Sequence, residues 1–168
     1  VWVDLTDPEL MKVAYTHLEE VAERWVRRHG SWDVSPQSLV HEAWIKVAGT
    51  TTFESRGHFL AVAAKAVRHV LVDRARAAAR EKRGGDQVRV TFTDVPGAAA
   101  PVVDALAVEQ ALASLEEAEP RLCQLVELRF FAGSTTEEVA ALLGVSTRTV
   151  EKDWRKCKAW LTVALADA

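Results

Sequence analysis

The stretch Ser134–Trp154, STTEEVAALLGVSTRTVEKDW, constrains the fold of this chain more than any other. Ser134 and Glu137 have the spacing of a capping box, in which side chains at a helix start satisfy otherwise unpaired backbone donors. Ala140 is small, as a close crossing of two helices requires. Gly144 falls at the turn, where a left-handed backbone is costly for any residue with a Cβ. Val139, Leu143, Val145 and Val150 fall at the offsets of a shared core, and Ser146 stands where a second helix needs a cap. The pattern is a helix-turn-helix. Its second helix turns Thr147, Arg148, Thr149, Lys152, Arg155 and Lys156 outward, a basic surface that points to DNA. The N-terminal end, with the hydroxyls of Ser146, Thr147 and Thr149 and with Arg148, would lie nearest the base edges of a major groove. Arg155, Lys156 and Lys158, further along, would meet phosphates.

The rest of the chain reads as helix as well, and only five of 168 residues are proline. Asp7, Pro8 and Glu9 announce a first helix, with Leu10, Met11, Ala14, Leu18, Val21, Ala22 and Trp25 on the 3.6-residue period and Gly30 as its stop. Ser35 and Pro36 repeat that start signal. Leu39, Val40, Ala43, Trp44, Val47 and Ala48 then form one apolar stripe that ends at Gly49. A long helix follows from about Gly57 to Arg83. Residues 84–101, GGDQVRVTFTDVPGAAAP, have no helical period and read as a tether; VRVTF has strand character but no evident partner. Asp104 caps a further helix, and PRLCQLVELRFFAG reads as one helix from Pro120 to Gly133. The fold class expected is all-α: two small helical domains, 1–83 and 104–168, joined by a flexible linker at 84–103, with the helix-turn-helix in the second.

The net charge of −3 conceals a segregation. Residues 56–83 hold eight Lys/Arg against Asp73 and Glu81, and residues 145–162 hold five against Glu151 and Asp153, so the remainder is strongly acidic. Two basic patches on an acidic body suit two polyanion-binding surfaces. Other chemistries find no support. His69 and Asp73, four apart on a helix, would be half a metal site, with no further ligand placed to complete it. REKRGGD lacks the spacing of a phosphate loop, and no Ser, Cys or Lys stands in a nucleophile setting. Neither a metal, a cofactor nor an enzymatic activity is expected. No run of about 18 apolar residues exists to span a membrane, and the opening VWVDLTDPEL has no export signal. Cys123 and Cys157 belong to no C-x-x-C pair and read as reduced thiols, which together point to the cytoplasm.

SLVHEAWIKV on the second helix, the basic long helix, the tether and LRFFAGSTTEEVAALLGVSTRTVEKDWRKCKAWL occur in an order that resembles the extracytoplasmic-function sigma factors of bacterial RNA polymerase. The resemblance covers nearly the whole chain. It implies a transcription initiation factor in which residues 1–83 bind the clamp of core polymerase and melt the minus-ten element. Residues 104–168 would grip the flap and read the minus-thirty-five element. Carried over by position, Leu39, Val40, Glu42 and Ile45 would lie in or beside the clamp contact. Lys65, Arg68, His69, Arg76 and Arg80 would line the promoter strand, and Phe53 and Phe59 would flank the loop that captures an unstacked base, although Phe59 reads as core before it reads as a stacking platform. The rival reading is a helix-turn-helix regulator that never joins polymerase.

Two departures from the family stand out. Glu151 and Asp153 replace basic residues on the recognition helix, which would weaken or redirect promoter binding. In addition, SPQS stands where relatives begin the clamp helix with several acids, leaving Glu42 as the only acid there. Three threonines follow that helix. The resemblance implies a type controlled by a Ser/Thr protein kinase, with phosphate at Thr51 (then Thr50 or Thr52) supplying the missing charge and Arg56 as its nearest cationic partner.

Overall fold

The computed structural model describes residues 3–28, 34–81, 89–91 and 102–166, and it is mostly helical. The stop expected at Gly30 and most of the expected linker lie outside the described residues.

The chain opens with a short strand, β1 (Val3–Asp4), and helix α1 (Pro8–Arg28). Asp7 caps α1, its Oδ1 accepting from the Glu9 amide at 2.9 Å. α2 (Pro36–Val47) starts at Ser35, whose side chain accepts from the Ser38 amide. β2 (Thr52–Phe53) pairs antiparallel with β1, Val3 opposite Phe53, and so ties the threonine run to the start of α1. α3 (Arg56–Glu81) is rich in alanine, the strongest helix former. The three helices bury their apolar stripes together: Leu18, Val21 and Trp25 from α1, Leu39, Val40 and Val47 from α2, Leu60, Val67 and Leu71 from α3. Each large side chain removed from water in this way contributes about 1.5–3 kcal/mol. Phe53 and Phe59 stand in this core at 5.2 Å, edge to face, with neither ring exposed.

The expected linker holds a pairing that its composition concealed. Strand β3 (Arg89–Thr91) lies antiparallel to β4 (Val102–Asp104), so the middle three residues of the apparently partnerless VRVTF stretch meet the residues just before the next helix. Asp104 caps α4 (Ala105–Ala118), as its position requires. The segment expected as one helix from Pro120 begins as α5 (Pro120–Val126) and widens into a π-helical turn, Glu127–Phe131. In that turn the Ala132 amide reaches back five residues to the Glu127 carbonyl, 3.1 Å away.

α6 (Thr136–Leu143) and α7 (Thr147–Leu165) form the helix-turn-helix. Gly144, at φ 66° and ψ 34°, makes the left-handed turn expected of it. The capping box is one residue later than expected. Thr135 accepts from the Glu138 amide, and Glu138 returns a bond to the Thr135 amide, while Ser134 is buried.

The two helical units dock on each other. α3 lies against α4 and the π turn, and Trp25 at the end of α1 meets Phe130 and Phe131 at ring distances of 5.8 and 6.3 Å. One apolar core runs through both units.

Candidate nucleic-acid and polymerase interfaces

The apolar face of α7 (Val150, Trp154, Cys157, Leu161) is buried, which fixes the opposite face outward. Ser146, Thr147, Arg148, Lys152, Arg155 and Lys156 are exposed there, with Thr149 half-buried. Ser146 Oγ accepts from the Thr149 amide at 3.1 Å, so this hydroxyl also serves as the helix cap. The acid expected to disturb phosphate contacts at position 153 lies on the other side. Asp153 is buried and bonds Arg121 of α5 at 2.5 Å, a tie within the unit, which leaves Glu151 as the exposed acid of this segment.

On α3 the basic residues divide between two environments. His69, Arg76 and Arg80 are exposed, and burial followed by the nearby Arg68 charge pulls the His69 imidazole below its usual range. Arg68 is only 1% exposed. Its guanidinium forks onto both oxygens of Glu109 on α4, at 2.8 and 3.0 Å, and donates to Glu127 of the π turn at 2.7 Å. Glu116 stands 3.5 Å from the same guanidinium and takes a 2.5 Å hydrogen bond from Lys65. Two cations of the first unit thus meet three carboxylates of the second. Burial opposes the charge of Arg68, yet its hydrogen bonds to Glu109 and Glu127 hold the pKa above the ordinary arginine value. Burial pushes Glu127 up against the pull of Arg68. Cys123, 3.6 Å from Arg68, is pushed by burial up to about 12, and Cys157 likewise, so neither thiol is reactive.

Sequence spacing could not reveal this cluster, because its oppositely charged partners lie 41 to 59 residues apart. One local sign exists. Arg68 falls on the apolar phase of α3, four residues after Ala64 and three before Leu71, and Glu127 interrupts an apolar run. A charge on a buried phase needs a partner of opposite sign.

α2 presents a nearly neutral face. Leu39 and Val40 are buried in the helix's own core, whereas Ile45 is 64% exposed. Glu42, the one acid of α2, is engaged by Arg74 of α3 and by the Ser38 hydroxyl. Past the helix end, Thr51 and Thr52 are exposed and Thr50 is half-buried. The Thr51 carbonyl accepts from the Leu5 amide at 2.8 Å, so the backbone is held while the side chain faces water. The chain then enters α3, where Ser55 accepts from the His58 amide and Arg56 is the first helical residue.

Residues 5–167 match the family described as ECF sigma factor. Compared with curated proteins and with solved structures, the chain matches none. Among the described residues no helix is long and apolar enough to cross a membrane, and no cluster of His, Cys, Asp and Glu is placed to hold a metal.

Proposed function

Since this chain belongs to the ECF sigma factors, non-enzymatic proteins that direct RNA polymerase core to promoter DNA, we propose that its polymerase contact is completed by phosphorylation in the Thr50–Thr52 run, at Thr51 first. One observation carries the reading: the clamp-facing helix offers no free negative charge, because its single acid is already held by Arg74 and Ser38. A phosphothreonine brings about −1.5 to −2 charges, enough to replace one or two carboxylates. Thr51 is exposed, as a kinase substrate must be. The phosphate would sit past the C-terminus of α2, where the helix dipole opposes it, and before the N-terminus of α3, where the dipole and Arg56 favour it.

In this reading residues 1–83 bind the clamp through Ile45 and the phosphate, with Glu42 beside the contact but held by Arg74, and with Leu39 and Val40 supporting the helix from beneath. His69, Arg76 and Arg80 follow the promoter strand, and Lys65 does so once it leaves Glu116. Arg68 joins them only when the second unit leaves α3. Residues 104–168 read the upstream element through Arg148 and the hydroxyls at the start of α7, while Lys152, Arg155 and Lys156 hold phosphates.

The test has two arms. Thr51→Ala is expected to lose transcription of target genes in the native host under inducing conditions, while wild type phosphorylated at Thr51 binds core polymerase more tightly than the unmodified protein. Normal transcription from Thr51→Ala ends the proposal at that site. Run-off transcription with core enzyme tests the sigma activity separately.

A further inference from the structure

Helix α7 is held firmly in its unit. Val150, Cys157 and Leu161 are buried, Asp153 bonds Arg121 of α5, and the Arg129 guanidinium lies 4.8 Å from the centre of the Trp154 ring. What the helix shows to a duplex is therefore set by its phase. At about 100° per residue, Arg148, Glu151, Lys152 and Arg155 fall in one sector about 100° wide, opposite the buried stripe. All four are exposed. Three of them only donate hydrogen bonds, whereas the Glu151 carboxylate only accepts.

Two observations set that carboxylate apart. Glu151 stands three residues after Arg148 and four before Arg155, the spacings at which opposite charges on a helix pair. Among the described residues, however, the side chains of Glu151, Arg148 and Arg155 make no ion pair and no hydrogen bond. The acid stays open to an incoming partner instead of being neutralised by its neighbours. The other acid of the segment behaves differently: Asp153 is 6% exposed and is spent on Arg121. Glu151 is thus the one acceptor-only group on a face of donors, on a helix too well packed to turn it away.

We propose that Glu151 is a specificity-determining residue that reads a cytosine in the major groove, its carboxylate accepting from the N4 amino group. The base edges decide this. Guanine shows only acceptors there, thymine an acceptor and a methyl group, and adenine a donor beside an acceptor; cytosine shows a donor alone. A negative charge therefore gains at cytosine and is repelled by the acceptors of guanine and thymine, so selectivity comes from rejection as well as attraction. Arg148, one turn nearer the start of α7, has the complementary chemistry and forks onto O6 and N7 of a neighbouring guanine. The inference rests on α7 reading promoter DNA and goes past that reading by naming a base. It is independent of the phosphothreonine proposal.

The reading face of α7 is exposed while the two units are docked, so the full chain can be tested without polymerase. Selection from a library of random duplexes at low salt, with the bound fraction sequenced, measures preference position by position. Wild type is expected to favour cytosine about tenfold over the other bases at one position. Glu151→Ala should lose that preference and bind random duplex more tightly, because a negative charge near phosphates is gone. Glu151→Gln should move the preference to adenine, whose N6 and N7 match a glutamine amide. Both variants change an exposed side chain, and far-UV circular dichroism verifies their fold. Tighter binding to every sequence by one common factor, with base preferences unchanged in both variants, overturns the proposal: Glu151 is then only a repulsive charge. A wild type that enriches no sequence at all overturns DNA reading by α7 itself, and this inference falls with it.

Discussion

Replacing Arg68 with methionine tests the docking of the two units at its most exacting point. The guanidinium makes a two-point contact with Glu109 and a 2.7 Å bond to Glu127, whose residue is 6% exposed. Methionine fills similar space without a charge, so Glu127 is left in a dry site without its hydrogen-bonded cation, Lys65 acting on it only from further off. Breaking a buried ion pair from one side costs about 3–5 kcal/mol, a large share of the roughly 5–15 kcal/mol that holds a domain together. Removing both members should be far milder. Arg68→Met with Glu127→Leu is expected to recover most of the loss, since apolar replacements of buried pairs are often neutral or better, and Glu109, half-buried, can turn to water. Urea unfolding, followed by tryptophan fluorescence and far-UV circular dichroism, measures both. With a slope of about 1–3 kcal/mol per molar, the single variant's midpoint should drop by about 1 M or more. A drop below about 0.3 M, with the double variant no better, would refute the reasoning: Arg68 would then be solvated in solution, and the units would not dock through it.

Two further outcomes follow from local geometry. Thr135→Ala removes the cap of α6 and should cost about 1 kcal/mol in the same unfolding assay, whereas Ser134→Ala, one residue earlier, should cost nothing as a cap; equal losses would contradict the assigned register. The Lys65–Glu116 pair sets a pH window. Glu116 is held below its ordinary range by the Lys65 hydrogen bond, so its contribution exists above the ordinary carboxylate pKa and fades as pH falls through the depressed value. Lys65 is held above its ordinary range by the same bond, so its contribution is full below the ordinary amine pKa and fades as pH rises through the raised value. The stability gap between wild type and Glu116→Gln should therefore be flat through neutral pH and shrink at both extremes. Both groups are nearly half exposed, which limits the gap to about 1 kcal/mol or less; a gap that grows on acidification would contradict the pairing.

The helices were legible because their signals are local: caps at Asp7, Ser35, Asp104 and Ser146, a left-handed glycine at 144, and apolar residues on one period. The capping box slipped by one because STTEE contains two nested boxes, Ser134 with Glu137 and Thr135 with Glu138; the buried phase of Val139 and Ala140 selects the second. Asp153 read as a solvent-facing acid because charge alone does not report direction, although three residues after Val150 and four before Cys157 it lies on the buried stripe of α7. Strand β4 was hidden by its brevity. The Arg68 cage joins residues distant in sequence, and no spacing rule connects such partners. Glu42 was visible as a lone acid, but its engagement by Arg74 depends on how α2 lies across α3.

The π turn has a bearing on how the second unit is aimed. An i→i+5 turn accommodates one residue more than an α-helical path would, and each residue of an ordinary helix rotates the chain by about 100°. Deleting one residue between Glu127 and Phe131 would tighten the turn into regular helix and swing everything beyond it by about that angle. Phe130 and Phe131 would lose their seats against Trp25, and α7 would be drawn away from its bond to Arg121 on α5. The wide turn thus works as an angular shim, setting the heading of the chain into the helix-turn-helix by the length of a single residue.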